Sequence, residues 1–250
     1  MAGHSHWAGI KHKKAANDAK RGKIWSKISR LIMVAAKNGG GDPNTNLPLR
    51  YAIDKGKQAN MPKDTIEKAI KKGTGELGAV SFEEVVYEGY APGGVAVMID
   101  ALTDNRNRTA PEIRKLFEKR GGSMGTSGCV SYMFAKKGII FISAAKADEE
   151  QLMDLVLSSG ADDMENHGDM YEISCAPEAY NDLKSAIDDA GIEVESAEVA
   201  MVPDNNVEIS DPEKAQKILN LIESFEEHDD VQNVYSNFDI PDSVMKQIES

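Results

Sequence analysis

The sequence predicts an α+β protein of three domains: a small all-α N-terminal helical domain, then two α/β ferredoxin-like domains, one inserted in the other. Three observations predict it. Apolar residues recur at helical spacing from residue 18 to about 72, and the period becomes that of strands beyond a linker bearing Gly73, Gly75 and Gly78. Residues 131–202 then alternate in an order close to β-α-β-β-α-β. The expected limits are a basic arm at 1–17, a helical basic domain at 18–75, a discontinuous α/β domain from 76–130 and 203–250, and an inserted ferredoxin-like domain at 131–202.

Taken in order, residues 1–17 lack helical periodicity and carry His4, His6, Lys11, His12, Lys13 and Lys14, so they read as an extended arm. From Asp18 to Asn38, Ile24, Ile28, Leu31, Ile32 and Ala35 repeat as one buried helical stripe, and Gly39 is a stop. GGGDPNTN must be loop. Helices follow at 47–58 and 62–72, the latter with Pro62 where a first turn tolerates it and Gly73 beyond its end. Strands at 84–90 and 94–102 are joined by Ala91-Pro92-Gly93. Thr109-Ala-Pro-Glu112 reads as a capping box opening a helix with Ile113, Leu116 and Phe117 on one face, ending at Gly121.

Residues 130–134 and 138–143 read as two strands, 148–159 as a helix, and 163–166 and 170–175 as strands. A helix at 177–190 and a strand at 193–201 complete the ferredoxin-like order. In the last stretch Ile218, Leu219, Ile222 and Phe225 line one side of a helix, and a strand follows at 231–235. A helix and a strand are what the 76–130 segment lacks, which motivates the discontinuous domain.

The net charge of −12 conceals an asymmetry: residues 1–75 hold 16 Lys/Arg against 5 Asp/Glu, and the remainder holds 13 against 36. A basic segment on an acidic body marks a polyanion-binding portion, although a basic and an acidic face could also attract each other. No apolar run approaches the roughly 18 residues of a membrane span, and the N-terminus lacks the apolar core of a secretion signal. Cys129 and Cys175 have no CxxC spacing and read as small buried hydrophobes. The chain reads as cytoplasmic.

Lys20, Lys23, Lys27 and Arg30 follow i, i+3, i+7, i+10 spacing on a face other than the apolar stripe, with Lys37 near the same side. Cations at that pitch can meet successive phosphates and release counterions. The arm adds Lys11, Lys13 and Lys14 around Trp7, whose indole either stacks on an exposed base or folds back on the helical domain. Arg106 and Arg108 form a second cationic site beside a helix N-terminus, unless Asp104 makes an ordinary turn of that loop.

The glycines of RGGSMGTSG follow a helix and lack Gly-Lys-Ser/Thr, so they read as a connection. The histidines show no zinc spacing. With Met1 removed, Ala2-Gly3-His4 would suit Cu(II) or Ni(II) as an incidental affinity. Carboxylate pairs such as Asp229/Asp230 join no nucleophile or base and read as a hydration surface. The expectation is a protein that is not an enzyme, with no cofactor, no metal and no small-molecule substrate.

Several blocks carry a resemblance over nearly the whole chain: MAGHSHWAGIKHKKAANDAKRGKIWSKI at the start, GGGDP at 39–43, YEGYAPGG at 87–94, DNRNRT at 104–109, AEVAMVP at 197–203 and DDVQNVYSN at 229–237. They resemble the YebC/PmpR family, from which the chain departs slightly, as at Trp25. The resemblance implies three domains around a concave centre and a DNA-binding regulator of transcription. It also implies an alternative, since mitochondrial relatives act as translational activators. Bacterial ones are described as factors on the large ribosomal subunit that bind rRNA and relieve stalling on proline-rich nascent chains. Carried over are Lys11, Lys13, Lys14, Lys20, Arg21, Lys23, Lys27, Arg106 and Arg108. Lysine-rich helices with few Asn, Gln or Arg position a backbone without reading bases, which tilts the residues towards structured RNA. A small-molecule enzyme using the central cleft would need a catalytic set that the sequence does not supply.

Overall fold

The computed structural model describes residues 18–78 and 81–249, with the side chains of 18–21, 242 and 249 outside the description. The basic arm, with Trp7 and Ala2-Gly3-His4, therefore lies outside the described residues. The chain forms two compact units, one from the described part of Gly9–Val130 with Asp211–Ser236, the other built on Ser131–Ser210 with Asn237–Ser250.

The first unit begins with α1 (Asp18–Gly39), α2 (Leu47–Gln58) and α3 (Lys63–Gly73). Their apolar stripes close one core around Ile28, Ile32, Ala36, Leu49, Ala52, Met61, Ile66 and Ala69, with Ile24, Leu31 and Ala35 packed at its margin. Asn46 ties two helix ends together. Its side-chain oxygen accepts from the Leu49 amide at the start of α2, while its amide group donates to Ala35 O and Gly40 O at the end of α1. Gly73 needs its missing side chain, because a Cβ there would lie 2.4 Å from Met33 O on α1.

The same unit holds a four-stranded antiparallel sheet ordered β3-β1-β2-β9, from β1 (Glu83–Ala91), β2 (Val95–Thr103), β3 (Ser123–Met124) and β9 (Val231–Ser236). α4 (Arg106–Lys119) and α7 (Pro212–Glu226) supply its helical layer, where the buried rings of Phe117 and Phe225 meet at 4.6 Å between centroids. β9 lies beside β2, so the late helix and strand return to the early hairpin.

Two expectations are corrected here. α4 starts at Arg106 rather than at a Thr109 cap: Asn105 is the N-cap and accepts from the Arg108 amide. Thr109 is buried inside the helix because a carboxylate from another segment claims its hydroxyl. This sheet also lacks the ferredoxin-like order, since two strands precede its first helix.

The second unit has that order: β4 (Phe134–Ser143), α5 (Glu149–Ser158), β5 (Ala161–Asn166), β6 (Met170–Cys175), α6 (Tyr180–Asp189) and β7 (Ser196–Pro203). Its antiparallel sheet runs β5-β6-β4-β7. Ile140, Ile142, Met164, Tyr171 and Ile173 face a core shared with Leu152 and Val156 of α5 and Leu183 and Ile187 of α6. The expected strand at 130–134 is instead a 3-10 turn at Ser131–Met133 running into the single strand β4. The expected segment 203–250 is divided between the units. Val207–Glu208 (β8) and Phe238–Asp239 (β10) pair in parallel in the second unit, which also holds α8 (Asp242–Glu249), whereas Asp211–Ser236 belongs to the first.

Candidate nucleic-acid interface

Lys11, Lys13 and Lys14 lie outside the described residues, and Lys20 and Arg21 are described only as backbone of α1. The rest of the α1 stripe has a definite seat. Lys23 Nζ lies 3.4 Å from Glu227 O, Lys27 Nζ donates to Glu226 O at 2.5 Å, and Arg30 donates to Asp229 O. These carbonyls belong to the last residue of α7 and the turn after it. A helix end exposes unsatisfied carbonyls and the negative pole of its dipole, so a row of cations is its natural complement. Arg30 also reaches the Asp230 carboxylate at 3.0 Å, and its guanidinium lies 5.8 Å from the centre of the Phe82 ring. Lys37 stays exposed in the last turn of α1.

Asp230 is the node of the unit. Its side chain is 3% exposed, which corrects the reading of Asp229/Asp230 as a pair of hydrated carboxylates. Oδ1 accepts from Arg30, while Oδ2 accepts from Thr109 at 2.7 Å, Thr103 at 3.1 Å and Arg108 at 2.7 Å. Burial alone would raise its pKa, yet the hydrogen bonds from Thr109, Arg108 and Thr103 and the Arg108 charge hold it below the ordinary aspartate value. One carboxylate thus gathers α1, the end of β2 and the first turn of α4. The adjoining His228 accepts from the Asp230 amide through Nδ1 and meets Glu112 of α4 at 3.1 Å through Nε2.

Arg106 and Arg108 are therefore not equivalent. Arg108 is held by Asp230 and, at 3.0 Å, by Asp104, while the turn itself is tied by Thr103 and Asn105. Arg106 is exposed at the first position of α4, and among the described residues no carboxylate pairs with it. The Tyr87 hydroxyl, buried and without a hydrogen-bond partner among the described residues, lies in the field of Arg106 and Asp230. Burial raises its pKa, which the Arg106 charge opposes.

Sequence reasoning passed over most of α4. RNRTAPEIRKLFEKR, residues 106–120, holds six of the 13 Lys/Arg found after residue 75 and only two acids. Thr109, Ile113 and Phe117 face inward, leaving Arg114, Lys115 and Lys119 exposed. A local charge count would have found them; the acidic average of the surrounding chain hid them. On α3, Lys68, Lys71 and Lys72 are likewise exposed.

Among the described residues no group of three or more His, Cys, Asp or Glu is placed to hold a metal ion, and no helix is long and apolar enough to cross a membrane. The second unit offers a poor surface for a polyanion. Register places Asp163, Glu165, Glu172 and Glu198 on the sheet face opposite the helices, with Ile139 and Phe141 between them. Burial raises the pKa of Glu172, an effect opposed by His167 at 3.1 Å and reinforced by Glu165 across the strand pair.

Two family models match the chain, one described as the TACO1/YebC protein N-terminal domain over residues 5–76, the other as the TACO1/YebC second and third domain over residues 82–238. A "Probable transcriptional regulatory protein" of Halothermothrix orenii is 52% identical over 250 residues, covering 99% of both chains. One of the same name from Elusimicrobium minutum is 50% identical over 248 residues, again 99% of each. A crystal structure of a conserved hypothetical protein from Aquifex aeolicus superposes with a TM-score of 0.85 at 50% identity, covering 95% of this chain and 98% of that one.

Proposed function

The chain belongs to the TACO1/YebC family, and from that premise we propose that it regulates gene expression in the cytoplasm, as a non-enzymatic protein that binds nucleic acid through the first unit. The observation that carries this is the set of outward cations without a carboxylate partner among the described residues: Lys37, Lys68, Lys71, Lys72, Arg106, Arg114, Lys115 and Lys119. All lie in one unit, and they are what phosphate binding by counterion release requires. The relatives' name supports a role in regulating transcription, for which DNA is the partner we propose.

A second reading, binding to structured RNA on the large ribosomal subunit with relief of stalled proline-rich synthesis, has its own support. α3 presents Lys63, Asp64, Glu67, Lys68, Lys71 and Lys72 to solvent, with no Arg, Asn or Gln to read base edges. On α2 the Arg50 guanidinium is tied to Pro43 O and Asn44 O. Such helices hold a backbone and leave sequence unread.

Sedimentation of lysate through sucrose at moderate salt, with and without nuclease, combined with promoter-against-random DNA binding, separates the two. A sharp preference for one promoter duplex is expected for transcription, and nuclease-sensitive migration with the large subunit for translation. A purified chain that ignores DNA, RNA and ribosomes at low ionic strength overturns both.

A further inference from the structure

We propose that α4 is the helix with which the first unit reads sequence: it enters the major groove of duplex DNA and meets base edges with Asn107, Arg114 and Glu118. This rests on the nucleic-acid reading above and names both the form of the polymer and the element that tells one sequence from another. α4 leaves nine of its fourteen residues exposed, and its buried line is Thr109, Ile113 and Phe117. On the outward side Asn107, Pro111, Arg114 and Glu118 are all exposed and follow i, i+4, i+7, i+11 spacing, which is one row along a helix. Lys115 and Lys119, also exposed, run beside that row.

The row is available. Among the described residues the side chains of Asn107, Arg114, Glu118, Lys115 and Lys119 have no hydrogen-bond or ion-pair partner. The neighbouring charges are engaged: Arg108 by Asp230 and Asp104, and Glu112 by His228 at 3.1 Å. The helix is also held in place. Asn105 caps its start, the Asp230 carboxylate takes the Thr109 hydroxyl, and Phe117 packs on Phe225. Side chains on such a fixed element can be placed accurately against a partner.

The chemistry of the row names its occupant. In the major groove an amide pairs with N6 and N7 of adenine, a guanidinium with O6 and N7 of guanine, and a carboxylate accepts from N4 of cytosine. A surface built for phosphates alone has no use for an unpaired Glu118, whereas a base-reading row does. α3 shows the contrast: its exposed Lys68, Lys71 and Lys72 stand without Arg, Asn or Gln, which suits a backbone. From Asn107 to Glu118 the helix rises about 16 Å, the length of about five base pairs. The major groove of B-form DNA, about 12 Å wide, admits a helix. The deep, narrow major groove of an RNA duplex does not. Lys115 and Lys119 then meet phosphates at the groove wall and position the row without reading.

The test is selection from a library of short random DNA duplexes by full-length wild type, Asn107→Ala, Arg114→Lys and Lys115→Ala, followed by fluorescence anisotropy on the enriched duplex and a scrambled one. Wild type should enrich a motif with an adenine and a guanine within about five base pairs of each other. Asn107→Ala should lose the adenine preference and Arg114→Lys the guanine preference, each by about tenfold. Lys115→Ala should keep the motif and bind enriched and scrambled duplexes equally less well. A second measurement replaces the guanine by 7-deazaguanine, which removes the N7 acceptor; wild type should weaken and Arg114→Lys should not. A motif that survives in either Asn107→Ala or Arg114→Lys overturns the proposal while leaving nucleic-acid binding intact. So do equal affinities of wild type for enriched and scrambled duplexes, or for the enriched sequence as DNA and as an RNA duplex. No binding of any DNA or RNA by wild type at low ionic strength overturns the underlying reading as well.

Discussion

Asp230 and Glu88 are two acids buried for opposite purposes. Glu88 is 4% exposed and staples a loop to β1, accepting from the amides of Gly128 at 2.7 Å and Val130 at 2.8 Å. Asp230 instead balances two guanidiniums and two hydroxyls. Neither role is legible in sequence: Asp230 follows Asp229 and reads as hydrated surface, Glu88 reads as one polar position of a strand, and the burial of both depends on segments brought together from elsewhere along the chain. Since its native pKa is depressed, Asp230 contributes stability above the ordinary aspartate range, near pH 4, and loses it as the pH falls through the depressed value. Asp230→Asn should cost about 2 kcal/mol at neutral pH, in line with hydrogen bonds to charged groups. It should also flatten the acid limb of a plot of Tm against pH. A Tm at pH 7 equal to wild type would show that Arg30 and Arg108 do not depend on this carboxylate.

At the scale of elements, α1 shows how far spacing can be read. Its apolar stripe was largely legible, since helical periodicity fixes which face is buried: Ile28 and Ile32 lie in the core as expected, while Ile24, Leu31 and Ala35 pack at its margin and Ala36 joins the core instead. Its cationic stripe was legible as a row of charges seeking anions, and the sequence left two candidates open: phosphates, or an acidic face of the same chain. In the structure Lys23, Lys27 and Arg30 face carbonyls and a carboxylate at residues 226–230, so these cations already carry a structural load. Charge reversal on α1 and α4 should then differ. Lys23→Glu with Lys27→Glu removes the seat on α7, and both Tm and nucleic-acid affinity should fall. Arg114→Glu with Lys115→Glu, on exposed α4 positions, should leave the unfolding free energy within about 0.5 kcal/mol of wild type, as surface substitutions do. That second pair should weaken binding to every probe sequence and reduce the salt slope by roughly one to two. An unchanged salt slope in the α4 variant removes that helix from the interface.

At the scale of the whole molecule, charge is uneven between the units as well as along the chain. Segments 9–130 and 211–236 carry 24 Lys/Arg and 20 Asp/Glu, whereas 131–210 and 237–250 carry 5 and 21. The ferredoxin-like order of the second unit was legible because its strands and helices alternate at short range. The division of residues 203–250 was not, because β8 and β10 are two residues each and gain their place only by pairing across some thirty intervening residues. A unit of net −16 repels a polyanion, whereas the exposed cations of the first unit attract it, so the first unit should be the one that meets nucleic acid. Neutralising exposed acids there, for example Glu150→Gln with Asp154→Asn on α5, removes repulsion without touching a cation. Association with nucleic acid should become a few-fold faster at low ionic strength, and the gain should vanish near 1 M salt, where the screening length is only about 3 Å. Stopped-flow anisotropy across a salt series measures this. Slower association in that variant would mean that the acidic unit takes part in binding, and the first unit alone would no longer account for recognition.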